Sequence, residues 1–236
     1  MPDMTISSAP APPRGAEDAG SRLENRLRAL GVVPVVTIGG AADAPGLADA
    51  LCEGGLPVAE ITFRTDAAAA AIAAIRKSHP DFLIGAGTVL DVPTLHRAID
   101  AGATFVVAPG FNPAVVDSCR ELGVPVIPGV STPTEIEAAL SRNLKLLKFF
   151  PAAAAGGLPF LSAVSAPYRG ISFMPTGGIN RGNLPTYLAK PFVAACGGSW
   201  IATETAIAEH RFDEIAGITR EAVALAAPFT TEESTA

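Results

Sequence analysis

Cysteine, histidine and lysine are scarce in this 236-residue chain, and each scarcity excludes a class of function. Three cysteines, Cys52, Cys119 and Cys196, lie far apart with no CxxC pair. They supply neither a disulfide framework nor a zinc site, and they suit a reducing, cytoplasmic compartment. The three histidines, His79, His96 and His210, are equally scattered. No HExxH helix or His/Cys cluster is present, so no transition metal is expected. Positive charge is in short supply too, with 17 Lys plus Arg against 23 Asp plus Glu and a net charge of −6. A general nucleic-acid binder needs a basic face, which argues against that class. Long hydrophobic runs are missing despite a mean hydropathy of +0.36. The longest uninterrupted apolar run, Ala67 to Ile75, falls well short of the about 20 residues of a membrane-spanning helix. A basic start and an apolar stretch are absent from the N-terminus. Residues 1–20, with four prolines by Pro13, are therefore expected to be a disordered tail and not a signal peptide.

What is present is hydrophobic residues, 49% of the chain against 17% charged. High hydrophobicity without a span points to strands buried on both faces, as in parallel sheets. A first helix is expected over Ser21 to Leu30, with Ser21 as N-cap. Short Val/Ile/Leu/Phe-rich runs then alternate with Ala/Leu-rich helical stretches. Strands are expected at Val32–Ile38, Val58–Phe63, Leu83–Val89, Phe105–Ala108, Pro125–Val130, Leu146–Phe150, Ser172–Pro175 and Val193–Gly197. Helices are expected at Ala44–Gly54, Ala67–Ser78, Val92–Ala101, Pro113–Leu122, Pro133–Ser141, Pro159–Ala166, Arg181–Ala189 and Asp213–Leu225. Eight strands alternating with eight helices in one continuous pattern is the count of an α/β (β/α)8 TIM barrel, here with an extra N-terminal helix. A doubly wound open sheet is the runner-up. Residues 21–236 read as a single domain.

In such a barrel, functional residues stand at the C-terminal ends of the strands. Lys148 is one of only four lysines, and it interrupts the apolar run Leu146-Leu147-Lys148-Phe149-Phe150. Apolar surroundings favour the neutral amine, the form that attacks a carbonyl. Lys148 could equally pair with Glu60, a second charge inside an apolar strand. An amine and a carboxylate together form the minimal set for imine chemistry. Alternation places Glu60, Thr62 and Arg64 on one face of the second strand. Arg64 could hold Glu60 in an ion pair or clamp an anionic substrate. Gly177-Gly178 and Gly197-Gly198, with Ser199, follow the last two strands, where barrels bind phosphate through backbone N–H groups. The same glycines could instead be ordinary strand-to-helix turns.

Six motifs occur in chain order: Glu60-Ile61-Thr62-Phe63-Arg64-Thr65, Gly85-Ala86-Gly87-Thr88-Val89-Leu90, Pro128-Gly129-Val130-Ser131-Thr132, Lys148-Phe149-Phe150-Pro151, Pro175-Thr176-Gly177-Gly178-Ile179 and Gly197-Gly198-Ser199-Trp200. In these the sequence resembles the class I 2-keto-3-deoxy-6-phosphogluconate (KDPG) aldolases, whose wider family also cleaves 4-hydroxy-2-oxoglutarate. The resemblance runs from roughly Leu30 to the C-terminal helix. It implies a metal-free and cofactor-free TIM barrel, usually a homotrimer, that cleaves KDPG to pyruvate and glyceraldehyde 3-phosphate. It implies Lys148 as the Schiff-base lysine, Glu60 as the general acid/base and Arg64 as a ligand of the substrate carboxylate. Thr88, Pro109 and Phe150 would line the pyruvyl pocket, with Thr176 at the adjoining strand end. Gly177, Gly178 and Ser199 would bind the phosphate. Where many relatives follow the lysine motif with Pro-Ala-Glu, this chain has Pro151-Ala152-Ala153, and it carries Gly39-Gly40 where some have a lysine pair. The alternative substrates are 4-hydroxy-2-oxoglutarate and the galactonate epimer of KDPG.

Overall fold

The structure is a computed structural model that describes residues 14–230. It opens with helix α1 (Arg14–Leu30), whose Leu23 and Leu27 are buried. Ser21 lies inside this helix and is not its N-cap. The expected tail over residues 1–20 is thus corrected from Arg14 onward, and its remainder falls outside the described residues. Strands then follow as β1 (Val32–Val36), β2 (Val58–Thr62), β3 (Leu83–Gly87), β4 (Phe105–Val107), β5 (Val126–Ile127), β6 (Gly129–Val130), β7 (Leu146–Phe149), β8 (Ser172–Pro175) and β9 (Cys196–Gly198). Helices α2 (Ala44–Glu53), α3 (Ala68–Ser78), α4 (Val92–Asp100), α5 (Pro113–Glu121), α6 (Pro133–Leu140) and α7 (Gly157–Ser165) alternate with them. Three more complete the order: α8 (Leu184–Leu188), α9 (Glu204–Ala208) and α10 (Phe212–Ala226).

Every strand pair is parallel, so the α/β reading holds. One sheet runs β5-β4-β3-β2-β1-β9 and a second runs β6-β7-β8. The two meet at both ends. On one side, β8 reaches β9 through single bridges, Phe173 to Val193 and Thr176 to Gly197. On the other, β5 and β6 are separated only by Pro128, which has no N–H to donate. That proline divides the expected strand Pro125–Val130 in two, although its carbonyl still accepts from Lys148 N at 2.9 Å. The last strand sits later than expected, because the apolar run Val193-Ala194-Ala195 precedes the hydrogen-bonded residues Cys196–Gly198.

The strands are buried along most of their length, as a parallel sheet covered by helices requires. Helix starts are set by local chemistry. Asp91 and Asn112 accept from the backbone N–H groups of Thr94 and Ala114, capping α4 and α5. Proline occupies the first turn of α2, α4, α5, α6 and α8, where no intrahelical N–H is lost. At the opposite pole from the strand ends, Arg28 of α1 reaches Ser172 Oγ at 2.5 Å and the Val193 carbonyl at 3.3 Å, tying α1 to β8. No helix among the described residues is long and apolar enough to cross a membrane.

Candidate active site

Two charged side chains meet inside the curled sheet. Lys148 on β7 donates from Nζ to Glu60 Oε1 at 3.2 Å and to Oε2 at 3.5 Å, although the residues are 88 positions apart. Their side chains are 6% and 0% exposed. Removing two charges from water is expensive, and their mutual attraction offsets it only with good geometry. Of the two sequence readings of Lys148, the pairing with Glu60 is the one the structure shows. The Phe150 ring lies beneath the ammonium, with its centroid 5.4 Å from Nζ, where the ring's negative face attracts the cation.

Gly87 explains how a full glutamate fits there. A Cβ at Gly87 would overlap Oε1, Cγ and Cδ of Glu60, which lies on the neighbouring strand. The glycine of the third-strand motif is thus the space that the carboxylate occupies.

One layer closer to the strand ends, Thr62 is fully buried. Its hydroxyl donates to the Val36 carbonyl at 2.9 Å and lies 3.0 Å from Thr37 Oγ1. Thr37 was not singled out by the sequence. The signal existed, because Val33, Val35 and Thr37 alternate on the face that β1 shares with Glu60 and Thr62, in the register Val35 to Glu60.

Thr88 stands just past β3 in the left-handed region, φ 56°, half-buried. Pro109, just beyond β4, and Phe150, just beyond β7, are also half-buried. Thr176 is buried and bridges to Gly197. Gly177 and Gly178 follow with φ of 96° and 80°, and their turn is held by Ala152 N to Thr176 O at 2.8 Å and Ala153 N to Gly177 O at 2.9 Å. Positive φ at two successive residues is why glycine is needed here. Ser199 is exposed one residue past β9.

Of the two readings of Arg64, the ion pair with Glu60 is not formed. The strand ends at Thr62, Phe63 and Arg64 form a turn, and the alternation that would have kept Arg64 on the inner face stops with it. Arg64 is exposed and lines a cavity of about 230 Å³ with Phe63, Thr65, Asp66, Thr94 and Arg97. The partner of Glu60 is Lys148.

Comparison with known proteins gives these positions a family. The model of the KDPG and KHG aldolases matches residues 23–218. A 2-dehydro-3-deoxy-phosphogluconate aldolase of Haemophilus influenzae is 47% identical over 198 residues, 84% of this chain and 93% of its own. A KHG/KDPG aldolase of Escherichia coli is 41% identical over 192 residues, 81% of this chain and 90% of its own. Among solved structures, the KDPG aldolase of Legionella pneumophila, with pyruvate captured at low pH as a covalent carbinolamine intermediate, gives a TM-score of 0.81 at 38% identity. That match covers 88% of this chain and 98% of that one. The fold and these likenesses put the protein among the aldolases, which are carbon–carbon lyases. Within them, the chain belongs to the KDPG and KHG aldolase family.

Proposed function

We propose that this protein cleaves KDPG to pyruvate and glyceraldehyde 3-phosphate through an imine on Lys148. The observation that carries the reading is the buried contact between Lys148 and Glu60. A proton passed across that contact frees the Nζ lone pair, which attacks the C2 ketone. Glu60 then shuttles protons through carbinolamine formation and loss of water. The protonated imine is an electron sink. When Glu60 removes the C4 hydroxyl proton, the C3–C4 electrons flow toward the imine nitrogen and the aldehyde leaves. The remaining enamine takes a proton at C3, and water hydrolyses the pyruvate imine. Phe150, against the amine, keeps bulk water from the nitrogen.

The family resemblance and the placement of these residues at strand ends support the other roles. Thr88, Pro109 and Phe150 line the pyruvyl end, with Thr176 beside them. Backbone N–H groups of Gly177 and Gly178, with Ser199, hold the phosphate. Arg64, exposed in the turn that follows β2, binds the substrate carboxylate. The two sheets act as one closed (β/α)8 barrel, and residues 21–236 act as one domain. The enzyme works in the cytoplasm as a homotrimer, with no metal.

Borohydride reduction in the presence of pyruvate, followed by peptide mapping, tests the chemistry. The expected result is a pyruvyl adduct on Lys148 that is absent from Lys148→Met. Labelling at Lys145, or no labelling, overturns the mechanism. Glu60→Gln is expected to form the imine more slowly and to lose cleavage by roughly a hundredfold or more. Comparison of kcat/KM for KDPG, its galactonate epimer and 4-hydroxy-2-oxoglutarate tests the substrate, and a preference for either of the last two overturns that assignment.

A further inference from the structure

We infer that Thr37 is a specificity-determining residue that accepts a hydrogen bond from the C5 hydroxyl of the substrate. The inference rests on the aldolase reading above and extends it to a residue just past β1, continuing its inner face, that none of the family motifs contains.

The polarity of the hydroxyl pair comes first. Each threonine hydroxyl has one proton to donate and two lone pairs to accept with. Thr62 is fully buried, and its proton goes to the Val36 carbonyl at 2.9 Å, a group that can only accept. The 3.0 Å contact between the two hydroxyls must then be made by the Thr37 proton. Thr37 is left with lone pairs and no spare proton, and it is only half-buried. Such a group suits a donor. It fits a substrate hydroxyl and does not fit a phosphate oxygen.

Position selects which hydroxyl. Thr37 continues the inner face of β1 in register with Thr62, one layer above Glu60. Along the wall the strand order is β2, β1, β9 and then, through the Thr176 to Gly197 bridge, β8. Glu60 on β2 takes the C4 hydroxyl proton in the proposed mechanism. Ser199 after β9 and Gly177-Gly178 after β8 take the C6 phosphate. Thr37, just past the end of β1, the strand between them, faces the carbon between them.

The test compares Thr37→Val, which keeps the shape and removes the hydroxyl, with Thr37→Ser, which keeps the hydroxyl. Each variant is assayed on KDPG and on 4-hydroxy-2-oxoglutarate, which has no hydroxyl at C5. Solvent exchange of the pyruvate methyl protons, which needs the imine and enamine but no C5, is followed in parallel. Thr37→Val is expected to lower kcat/KM for KDPG by about tenfold, as loss of one hydrogen bond does. It should leave 4-hydroxy-2-oxoglutarate cleavage and pyruvate exchange near the wild-type values, and Thr37→Ser should recover most of the loss. An unchanged kcat/KM for KDPG in Thr37→Val overturns the inference. So does an equal fall on both substrates, which would mark a structural role. Failure of the wild-type protein to exchange pyruvate protons or cleave KDPG would instead defeat the aldolase reading itself, so the two failures are distinct.

Discussion

A buried carboxylate needs room as much as it needs a partner, and Gly87 separates those two requirements. The strand motif Gly85-Ala86-Gly87 holds two glycines that meet different neighbours. A Cβ at Gly87 would strike the Glu60 carboxylate, and a Cβ at Gly85 would strike the Phe105 ring. Both replacements overpack a filled interior, at a cost of about 1–3 kcal/mol each. Only the first displaces Glu60, the proposed acid–base group. Gly87→Ala is therefore expected to lose most of its specific activity. Gly85→Ala should melt earlier yet keep the turnover of its folded fraction. Melting temperature and kcat measured side by side check this, and equal losses of kcat would remove the distinction. The same residues show what was legible beforehand. Glu60 and Lys148 stand out because a charge in an apolar strand is expensive and so needs a reason. The pairing of Thr37 with Thr62 was hidden, since threonine is an ordinary strand residue and only the register brings the two together. Of the two readings of Arg64, the ion pair with Glu60 is the one not formed, because the strand turns after Thr62 and alternation no longer applies.

At the scale of elements, the start of α6 carries a self-contained electrostatic argument. Thr132 caps the helix, and Glu135 reaches back to form a capping box, its Oε2 accepting from Ser131 N and Thr132 N at 2.8 Å each. Partial burial pushes the Glu135 carboxyl up, but the hydrogen bonds from Ser131 and Thr132 together outweigh it and hold the group below its ordinary value of 4.5. A carboxyl lowered in the folded state stabilises above its unfolded value and loses that contribution as pH falls through the folded one. The stability gap between wild type and Glu135→Gln should thus be full at neutral pH and shrink below about 4.5, as urea unfolding at several pH values would show. A gap that widens in acid would reverse the sign of the argument. Thr132→Ala is expected to cost about 1 kcal/mol. Three elements whose ends carry such caps were legible in sequence, since the expected starts of α4, α5 and α6 agree with the structure, whereas the five-residue α9, capped by Thr203, was not expected. Elements whose ends depend on tertiary pairing were not legible. β9 was placed too early because its two glycines carry no strand signal, and α8 was expected three residues too soon at Arg181.

For the whole molecule, burial sets which thiols the solvent can find. Cys52 is exposed, while Cys119 and Cys196 are buried. Burial pushes the Cys119 thiol up to about 12 and raises that of Cys196 as well. For Cys52, burial and the Asp49 carboxylate act in the same upward direction on a thiol that still meets water. A colorimetric thiol reagent at pH 8 is therefore expected to titrate one cysteine in the native protein and three after denaturation. Fast reaction of two or three in the native state would contradict this packing.

Closure of the wall is the remaining whole-molecule question, and it turns on a narrow seam. Between β8 and β9 the pairing consists of isolated bridges, with Phe173 N donating to the Phe192 carbonyl at 2.7 Å and Ala194 N to the Phe173 carbonyl at 2.9 Å. A Cβ at Gly197 would overlap Thr176 Oγ1, so the strands approach as closely there as a bare backbone permits. An open sheet would leave a row of unpaired edge groups at this place, and its amides would exchange with solvent by local opening alone. A closed barrel ties them to the global unfolding of the core. The amides of Phe173 and Ala194 are accordingly expected to show hydrogen-exchange protection close to that of the β2–β3 amides. Gly197→Ala should lower protection at the seam before it affects β2 and β3. Rapid exchange at Ala194 in the wild-type protein would mean that the ring is open, with the Gly177-Gly178 turn and Ser199 standing on separate edges and unable to hold one phosphate between them.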